Sequence, residues 1–384
     1  MWEPQFWIHF KPTELHYLNM SRELKALGMG YLLWGFSIGL YTTQWPVFLL
    51  YKLGDPGQVG LANGLISATA VLSYFVGAWM GNHFPKKPLF MLSWGGSAIA
   101  PLLWAFGSSD WTIYLGCALF GFISSYSSPL INSYFLDELG DEFMKGSMYT
   151  SSTYSIGMMV GPFVGGVLKD IGGYELLMIV TAISFVFSAV PLAFLKKDEP
   201  KKKSLMLPKD RSYYQALLWA AVMSFAMMIT VPYAPLYAKE RFALSGTMLG
   251  LLGSISAIGA VLLTYLAVRV SHRSIILRIS VWCGILGTML LISNRWFLWI
   301  AFFFRGAFMN TYSLITSGVS HRVPKDYSYI GFALLTATIA AFNSLASAVG
   351  GYIYNTGPIV LFLLSSVLMW FSLYLYKLLA ESRQ

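Results

Sequence analysis

The sequence predicts an all-α membrane protein with twelve transmembrane helices, arranged as two six-helix bundles that are parallel repeats of each other. Three observations lead to this prediction. Only 11% of the 384 residues are charged and 56% are hydrophobic, whereas soluble domains carry about 25% charged residues. The apolar residues form twelve long runs, and the last six runs repeat features of the first six. Lipid is therefore the predicted solvent, and in lipid a spanning segment is helical because it must satisfy its own backbone hydrogen bonds.

The apolar runs have the length of membrane-spanning helices, for which about 20 mostly apolar residues are needed. The connections between them are short, so we expect no soluble domain between helices. The predicted spans are 26–51, 58–81, 89–107, 111–136, 147–168, 174–195, 213–238, 246–268, 274–293, 296–319, 329–354 and 358–379.

A polar, lysine-rich stretch near the midpoint divides the chain. The predicted organisation is a cytoplasmic N-terminal segment 1–25, a bundle 26–195, a basic linker 196–212, and a second bundle 213–384 that ends in a short cytoplasmic tail. Residues 1–25 are aromatic and mildly basic. They form either an amphipathic segment on the inner leaflet or a loosely ordered terminus, and Met20 is an alternative start.

The positive charges indicate the orientation of the helices. With the N-terminus inside, 20 Lys and Arg residues lie in inside segments and 5 in outside loops. Positive residues accumulate on the cytoplasmic side of membrane proteins, so we expect a multi-pass protein of the cell membrane with both termini cytoplasmic. The net charge of +9 belongs to this topology pattern, and we therefore expect no nucleic-acid partner.

An internal repeat relates the two halves. A tryptophan and four glycines recur 185 positions later. Each half has an even number of spans, so both halves enter the membrane from the same side, which predicts a parallel duplication. The recurring residues are Trp111, Gly121, Gly146, Gly165 and Gly166, repeated as Trp296, Gly306, Gly331, Gly350 and Gly351.

The fifth span contains a glycine-rich string, GxxxGPxxGG. Its members are Gly157, Gly161, Pro162, Gly165 and Gly166. Glycines four residues apart lie along one helical face and allow a neighbouring helix to approach closely, while the proline tends to kink the helix. A generic packing face is the alternative interpretation.

This string resembles the fifth-helix "antiporter" motif of the major facilitator superfamily. The topology is also similar along the whole chain: six plus six helices, a basic central loop and cytoplasmic termini. In that family the motif is associated with exporters, especially drug–proton antiporters. The resemblance therefore implies a gating and structural role for the five motif residues.

Other motifs of that family are only partly present. The loop after the second span keeps Gly77, Lys86 and Lys87, to which the resemblance assigns a gating or structural role. Gly81 stands where the family has an aspartate, so the salt bridge attributed to that aspartate cannot form in the usual way. Cys117 replaces the fourth-helix arginine of drug antiporters, which argues against proton antiport.

One ionisable residue lies deep in a span. Arg305 is about 13 Å from the outer end of the tenth span at 1.5 Å per residue, and intramembrane charges are expensive and usually functional. We expect it to hold an anionic group of the substrate; a structural arginine bonded to carbonyls or hydroxyls is the alternative.

The sequence shows no metal spacing, no carboxylate pair within a span and no clustered histidines. We therefore expect no enzyme activity, catalytic residue, metal or cofactor.

The family resemblance implies a central cavity lined by helices one, four, seven and ten. The predicted substrate-binding residues on these helices are Arg305, Tyr41, Gln44, Asn132, Tyr233 and Asn310. The predicted function is secondary active transport of a small amphiphilic or anionic organic solute by alternating access, by efflux or antiport, in a monomer that contacts lipid. The alternatives are an uptake facilitator for a sugar or organic acid, and a non-transporting scaffold or receptor with the same fold.

Overall fold

The computed structural model describes residues 21–139, 143–196, 199–200, 202–269, 273–309, 311 and 327–381. The predicted N-terminal segment lies mostly outside these ranges, as do Asn310 and the end of the predicted tenth span. Within the described ranges the regular structure is helical.

The first half of the chain contains eight helical segments. Several of them begin at recognisable caps: the Ser21 hydroxyl accepts from Leu24 N, and Asp55 Oδ2 accepts from Gln58 N, as N-cap side chains do. The helices are α1 Arg22–Thr42, α2 Trp45–Leu53, α3 Pro56–Gly81, α4 Lys86–Gly96, α5 Ile99–Phe106, α6 Asp110–Ser125, α7 Ser127–Leu139 and α8 Phe143–Ala189.

A break divides α8 into two crossings. Gly172 and Gly173 leave the helical conformation, and Gly173 has φ +71°, a left-handed conformation that glycine adopts without a steric penalty. The chain reverses there. The second crossing ends in a 3₁₀ helix, Val190–Phe194.

The second half follows the linker. Asp210 caps its first helix by accepting from Ser212 N. The helices are α9 Arg211–Met228, α10 Tyr233–Phe242, α11 Gly246–Arg269, α12 Arg273–Ser293, a 3₁₀ helix Arg295–Phe297, α13 Leu298–Met309, α14 Ser328–Thr356 and α15 Pro358–Glu381.

The described helices agree with the prediction of twelve crossings. Nine stretches of the described chain are long and apolar enough to span a membrane, and one of them, Tyr149–Phe194, covers two crossings. The pair α1–α2 supplies another crossing, and α13 is the described part of the predicted tenth span. Large apolar side chains on the outer surface, such as Leu72 (65% exposed), Phe187 (59%) and Trp370 (59%), face the lipid that a membrane protein requires.

The sequence repeat is also a structural repeat. A Cβ on Gly165 would overlap the Leu40 carbonyl of α1, and a Cβ on Gly350 would lie 2.5 Å from the Ile229 carbonyl beside α9. The pair Gly121 and Gly306 makes the same kind of close approach to α3 and α11. Equivalent glycines therefore join equivalent helices in each bundle, as the prediction of a parallel duplication requires.

The two bundles meet along two lines of helix contact. Helix α3 packs on α14, and the first half of α8 packs on α11. We call the end of the molecule that carries residues 82–85 and the linker the linker face. The other end, which carries Gly54, Gly172 and Gly357, is the opposite face.

Candidate functional site

The glycine motif closes the space between the bundles toward the opposite face. Gly157 and Gly161 abut α1: a Cβ on Gly161 would lie 2.6 Å from Phe36 O. Pro162 and Gly166 also abut α11, because Cβ atoms on Gly250 and Gly246 would lie against the Pro162 and Gly166 carbonyls. The motif therefore packs α8 against both bundles. The predicted structural role of the motif agrees with this position, and a role in gating stays a prediction.

Helices α3 and α14 make a matching contact near the same face. A Cβ on Gly351 would lie 2.5 Å from Pro56 O and 3.0 Å from the α-carbon of Gly57. A Cβ on Gly60 would overlap the Ser347 carbonyl. Backbone therefore lies against backbone at this end of the molecule, and the Tyr233 hydroxyl lies beside the contact.

A few polar contacts add to the closure at the opposite face. The Asp170 carboxylate accepts from Gly246 N (2.9 Å) and from Thr247 N (2.7 Å) at the start of α11. Negative charge at a helix N-terminus is favourable because the free N–H groups point at it. Asn355 Nδ2 donates to Asp55 Oδ1 at 2.7 Å, which joins α14 to the start of α3.

The linker face is closed by a lysine of the linker. Lys203 Nζ lies 2.6 Å from Asp137 Oδ1 on α7 and donates to Ser133 Oγ (2.9 Å) and to Ser328 Oγ (2.8 Å) at the start of α14. Its side chain is only 8% exposed. One ammonium group therefore bridges the two bundles, and its charge is compensated by a carboxylate, as a buried charge must be.

Asn82 holds the backbone of this lysine in place. Its side-chain amide donates to Lys203 O and accepts from Lys203 N, both at 2.9 Å. The Lys203 ammonium also lies 5.1 Å from the centre of the Tyr329 ring. A Cβ on Gly81 would meet that ring at 3.2 Å, so the glycine that replaces the family aspartate leaves room for Tyr329.

The remaining residues of the partly kept loop motif act mainly within the first bundle. The buried Lys86 ammonium lies 3.4 Å from Asp137 Oδ2. Lys87 Nζ donates to Leu195 O at 2.9 Å, at the end of the sixth crossing. A Cβ on Gly77 would overlap the Tyr126 carbonyl between α6 and α7.

A partly open cavity of about 230 Å³ lies between these two closures. Its lining residues belong to α3 and α14, which lie on the two sides of the contact between the bundles, and one lining residue belongs to α6. None of the lining residues within the described part of the chain is charged. They are Ile66, Ser67, Ala70, Tyr74, Ser125, Thr336, Ile339, Ala340 and Asn343.

Arg305 is not among the lining residues of this cavity. It is buried inside the second bundle, where Nη1 donates to Thr288 Oγ1 (2.9 Å) and Nη2 donates to Thr230 O (3.2 Å). Thr230 follows the end of α9, and a cation beside the carbonyl end of a helix is favourable. These contacts match the structural alternative for this arginine, and substrate binding by it stays a prediction.

The other predicted binding residues are dispersed. Tyr41 lies in an aromatic cluster of the first bundle, 5.9 Å from both Trp45 and Trp104 between ring centres. Gln44 Nε2 donates to Gly246 O at 2.8 Å and so belongs to the opposite-face closure. The Tyr233 hydroxyl donates to Ser347 O at 2.6 Å within the second bundle. Asn132 is half-buried on α7 and is not a lining residue.

The cavity residues on α3 and α14 were not predicted from the sequence. The family resemblance directed attention to helices one, four, seven and ten, and only Ser125 belongs to one of these. A signal for Asn343 was present, because an amide in the middle of an apolar span is costly unless it is paired. Its Oδ1 is buried and has no hydrogen-bond partner in the described structure.

A family model described as Major Facilitator Superfamily matches residues 27–276. The chain belongs to the Major Facilitator Superfamily. The expected family is thus confirmed, and with it a multi-pass membrane protein of a transporter family. Among solved structures, this superfamily member is similar to the human organic anion transporter MFSD10 (TETRAN), with a TM-score of 0.71, 15% identity, and coverage of 92% of this chain and 98% of that one. It is also similar to the nucleoside transporter NupG, with a TM-score of 0.70, 15% identity, and coverage of 93% and 100%.

Curated relatives of this superfamily member include drug exporters. Tetracycline resistance protein, class B, of Escherichia coli is 23% identical over 172 residues, which cover 44% of this chain and 43% of the relative. Multi-drug resistance efflux pump PmrA of Streptococcus pneumoniae is 22% identical over 247 residues, covering 58% and 60%. The aligned part of this chain thus spans about half the length of these relatives.

Proposed function

We propose that this superfamily member is a secondary transporter that moves a small organic solute by alternating access, in the direction of export. The observation that carries the proposal is a cavity at the contact between the bundles, flanked along α3 and α14 by two separate closures. Each closure joins the bundles through non-covalent contacts. If one opens while the other stays shut, the cavity is reached from one side of the membrane at a time.

The export direction rests on two similarities. The glycine motif resembles that of exporters, and the curated relatives include a tetracycline resistance protein and a multidrug efflux pump. The excess of Lys and Arg at the linker face supports a cytoplasmic position for that face and for both termini. Cells that express the chain should then retain less of a transported compound than control cells, and greater retention would indicate an importer.

Proton coupling is not part of the proposal. Four carboxylates of the described chain that join helices lie near the faces, and each is engaged there: Asp55, Asp137, Asp170 and Glu240. None of them lines the cavity. Export in exchange for a second solute agrees better with this distribution.

Reciprocal accessibility tests alternating access without knowledge of the substrate. In a background with Cys117→Ser and Cys283→Ser, a Ser133→Cys, Ser328→Cys pair ties α7 to α14 at the linker face, where the two native hydroxyl oxygens are 2.8 Å apart. Buried reporters, Thr43→Cys toward the opposite face or Ala333→Cys toward the linker face, are labelled with a water-soluble maleimide.

Oxidation of the pair should decrease labelling of Ala333→Cys and increase labelling of Thr43→Cys, because removing one open state raises the population of the others. A reducing agent should reverse both changes. Each single cysteine combined with each reporter serves as the control and should not respond to the oxidant. Labelling that does not change at either reporter would favour a rigid scaffold and contradict the proposal.

A further inference from the structure

Three consecutive apolar residues of the linker are exposed. Leu205 is 41% exposed, Met206 is 65% exposed and Leu207 is 54% exposed. They lie outside the helices, between the end of the first bundle and the start of α9. A single exposed apolar residue needs no explanation, but a continuous group of them marks a surface that contacts a protein or a membrane.

The linker is attached to the bundles on both sides of these three residues. On one side, Asn82 binds the backbone of Lys203, and the Lys203 ammonium bridges the bundles. On the other side, Pro208 is buried and Asp210 caps α9. The exposure of residues 205–207 is therefore set by the attachments of the segment at both of its ends.

Exposed aromatic residues indicate that both attachments lie near the membrane surface. Trp79 is in the last turn of α3, just before Asn82, and Phe84 follows Asn82; both aromatic side chains are exposed. Tyr214 is exposed in the first turn of α9. Trp and Tyr are enriched at the boundary between lipid and water. The apolar residues of the linker therefore lie between two points at this boundary.

Positive charge flanks the apolar residues. Lys202, Lys209 and Arg211 are exposed, and Asp210 is the single carboxylate in the sequence 202–211. A segment on a membrane surface binds more strongly when apolar burial and attraction to anionic lipids act together. This segment has both features, and its charge is complementary to a surface of anionic headgroups.

We infer that residues 204–209 bind the lipid leaflet at the linker face. Leu205, Met206 and Leu207 lie at the boundary between headgroups and acyl chains, and the flanking cations contact anionic headgroups. That this leaflet is the inner one rests on the orientation given with the proposed function. The bound segment begins directly after Lys203, so contact with lipid holds the linker beside the linker-face closure.

A spin label at position 206 tests this contact. Met206→Cys is made in the background with Cys117→Ser and Cys283→Ser, and the full chain is placed in nanodiscs of phosphatidylcholine and phosphatidylglycerol in equal parts. Electron paramagnetic resonance measures collisions of the label with oxygen, which dissolves in lipid, and with a polar nickel chelate, which stays in water. Lys202→Cys is the reference for water, and Leu218→Cys on the exposed side of α9 is the reference for lipid.

The two collision rates distinguish lipid, water and protein around position 206. We expect nickel collisions to be about tenfold rarer than at position 202, because a segment of this kind buries its apolar side about 5–10 Å into the headgroup region. Oxygen collisions should approach those at position 218. Equal nickel collisions at positions 206 and 202 would overturn the inference. Few collisions with either reagent would show that protein covers the position, from residues 1–20 or a second copy, and would overturn it too.

A pair of serine substitutions tests the apolar contribution. Leu205→Ser together with Leu207→Ser should raise nickel collisions at position 206 about fivefold or more, since membrane binding scales with the apolar area that is buried. The matched control is Leu102→Ser with Leu363→Ser, which removes two similarly exposed leucines from α5 and α15 and should have no effect at position 206. No response to the linker pair, or an equal response to both pairs, would contradict the inference.

Lipid composition tests the contribution of the cations. In the linker serine variant, nanodiscs of phosphatidylcholine alone should give about fivefold more nickel collisions than the mixed nanodiscs, since anionic surfaces attract each nearby cation. Lys202→Gln with Lys209→Gln should remove this difference. Equal collisions in the two compositions would show that the cations do not contact headgroups.

These measurements are independent of transport. All substituted linker side chains are exposed, so the melting temperatures of the variants should equal that of the parent. Lipid contact at position 206 without reciprocal labelling would refute transport and keep the bound segment. Reciprocal labelling with position 206 in water would do the reverse.

Discussion

The two ends of the contact between the bundles are closed by different kinds of interaction. At the opposite face, glycines bring backbone against backbone: Gly166 against Gly246 and Gly351 against Pro56. At the linker face, a side chain from outside both bundles, Lys203, bridges Asp137 on one bundle and Ser328 on the other. The first closure depends mainly on close packing of backbone, and the second depends mainly on one side chain.

This difference predicts different responses when each end opens. Opening the opposite face loses dispersion contacts that nothing in lipid or water replaces at the same density. Opening the linker face loses charged hydrogen bonds of about 1.5–3 kcal/mol each, but it returns Lys203 and Asp137 to water, which offsets much of the loss. The linker face should therefore open more readily and depend more strongly on a single residue.

The largest effect is expected from an added methyl group at the opposite face. In Gly166→Ala the new Cβ would overlap the Gly246 carbonyl, so α8 and α11 must move apart. Overpacking of this kind costs about 1–3 kcal/mol or more, and we expect a clearly lower melting temperature together with faster labelling of Thr43→Cys. The control is Gly95→Ala, whose Cβ would make an ordinary 3.4 Å contact with Ala189. Equal melting temperatures for the two variants would show that the glycine contact is not tight.

The next largest effect is expected at the linker face. Lys203→Met keeps the length of the side chain and removes the charge, while Asp137 retains Lys86 at 3.4 Å. Loss of the bridge to Ser328 should shift the population toward an open linker face by about tenfold, equivalent to 1.4 kcal/mol. Labelling of Ala333→Cys measures this shift.

The matched control for that experiment is the preceding residue. Lys202 is exposed to solvent, so Lys202→Met changes the net charge of the linker equally and leaves the closure intact. If Ala333→Cys is labelled at the same rate in both variants, the positive charge of the linker matters and the position of Lys203 does not.

The sequence predicted the fold because the relevant signals are local or periodic. Twelve runs of spanning length fixed the number of crossings, and the 185-residue offset of Gly165 and Gly350 gave the relation between the bundles. Broken crossings were also foreseeable, since Pro46 and Pro232 mark the starts of α2 and α10. Such features need no knowledge of which helices become neighbours.

The site was harder to predict because it depends on partners that are distant along the chain. Arg305 is buried, but its acceptor Thr230 is 75 residues away along the chain, and nothing local in the sequence distinguishes a paired arginine from a free one. Lys203 likewise resembles Lys202 in sequence and differs only in its contacts with α7 and α14. The rule that intramembrane polar groups are functional by default was applied to the charge of Arg305 and not to the amide of Asn343.

The smallest predicted effect concerns the polar contacts of the opposite face. Asp170→Asn keeps a side-chain oxygen that can accept a hydrogen bond but removes the negative charge beside Gly246 N and Thr247 N. Charge at a helix N-terminus contributes about 0.3–1 kcal/mol, so labelling of Thr43→Cys should rise by about two- to fivefold, less than in Gly166→Ala. Asp110→Asn, an exposed carboxylate in the first turn of α6, is the control and should leave this rate unchanged. An increase as large as that of Gly166→Ala would mean that ionic contacts, and not glycine packing, hold the opposite face shut, and the two ends would then be closed alike.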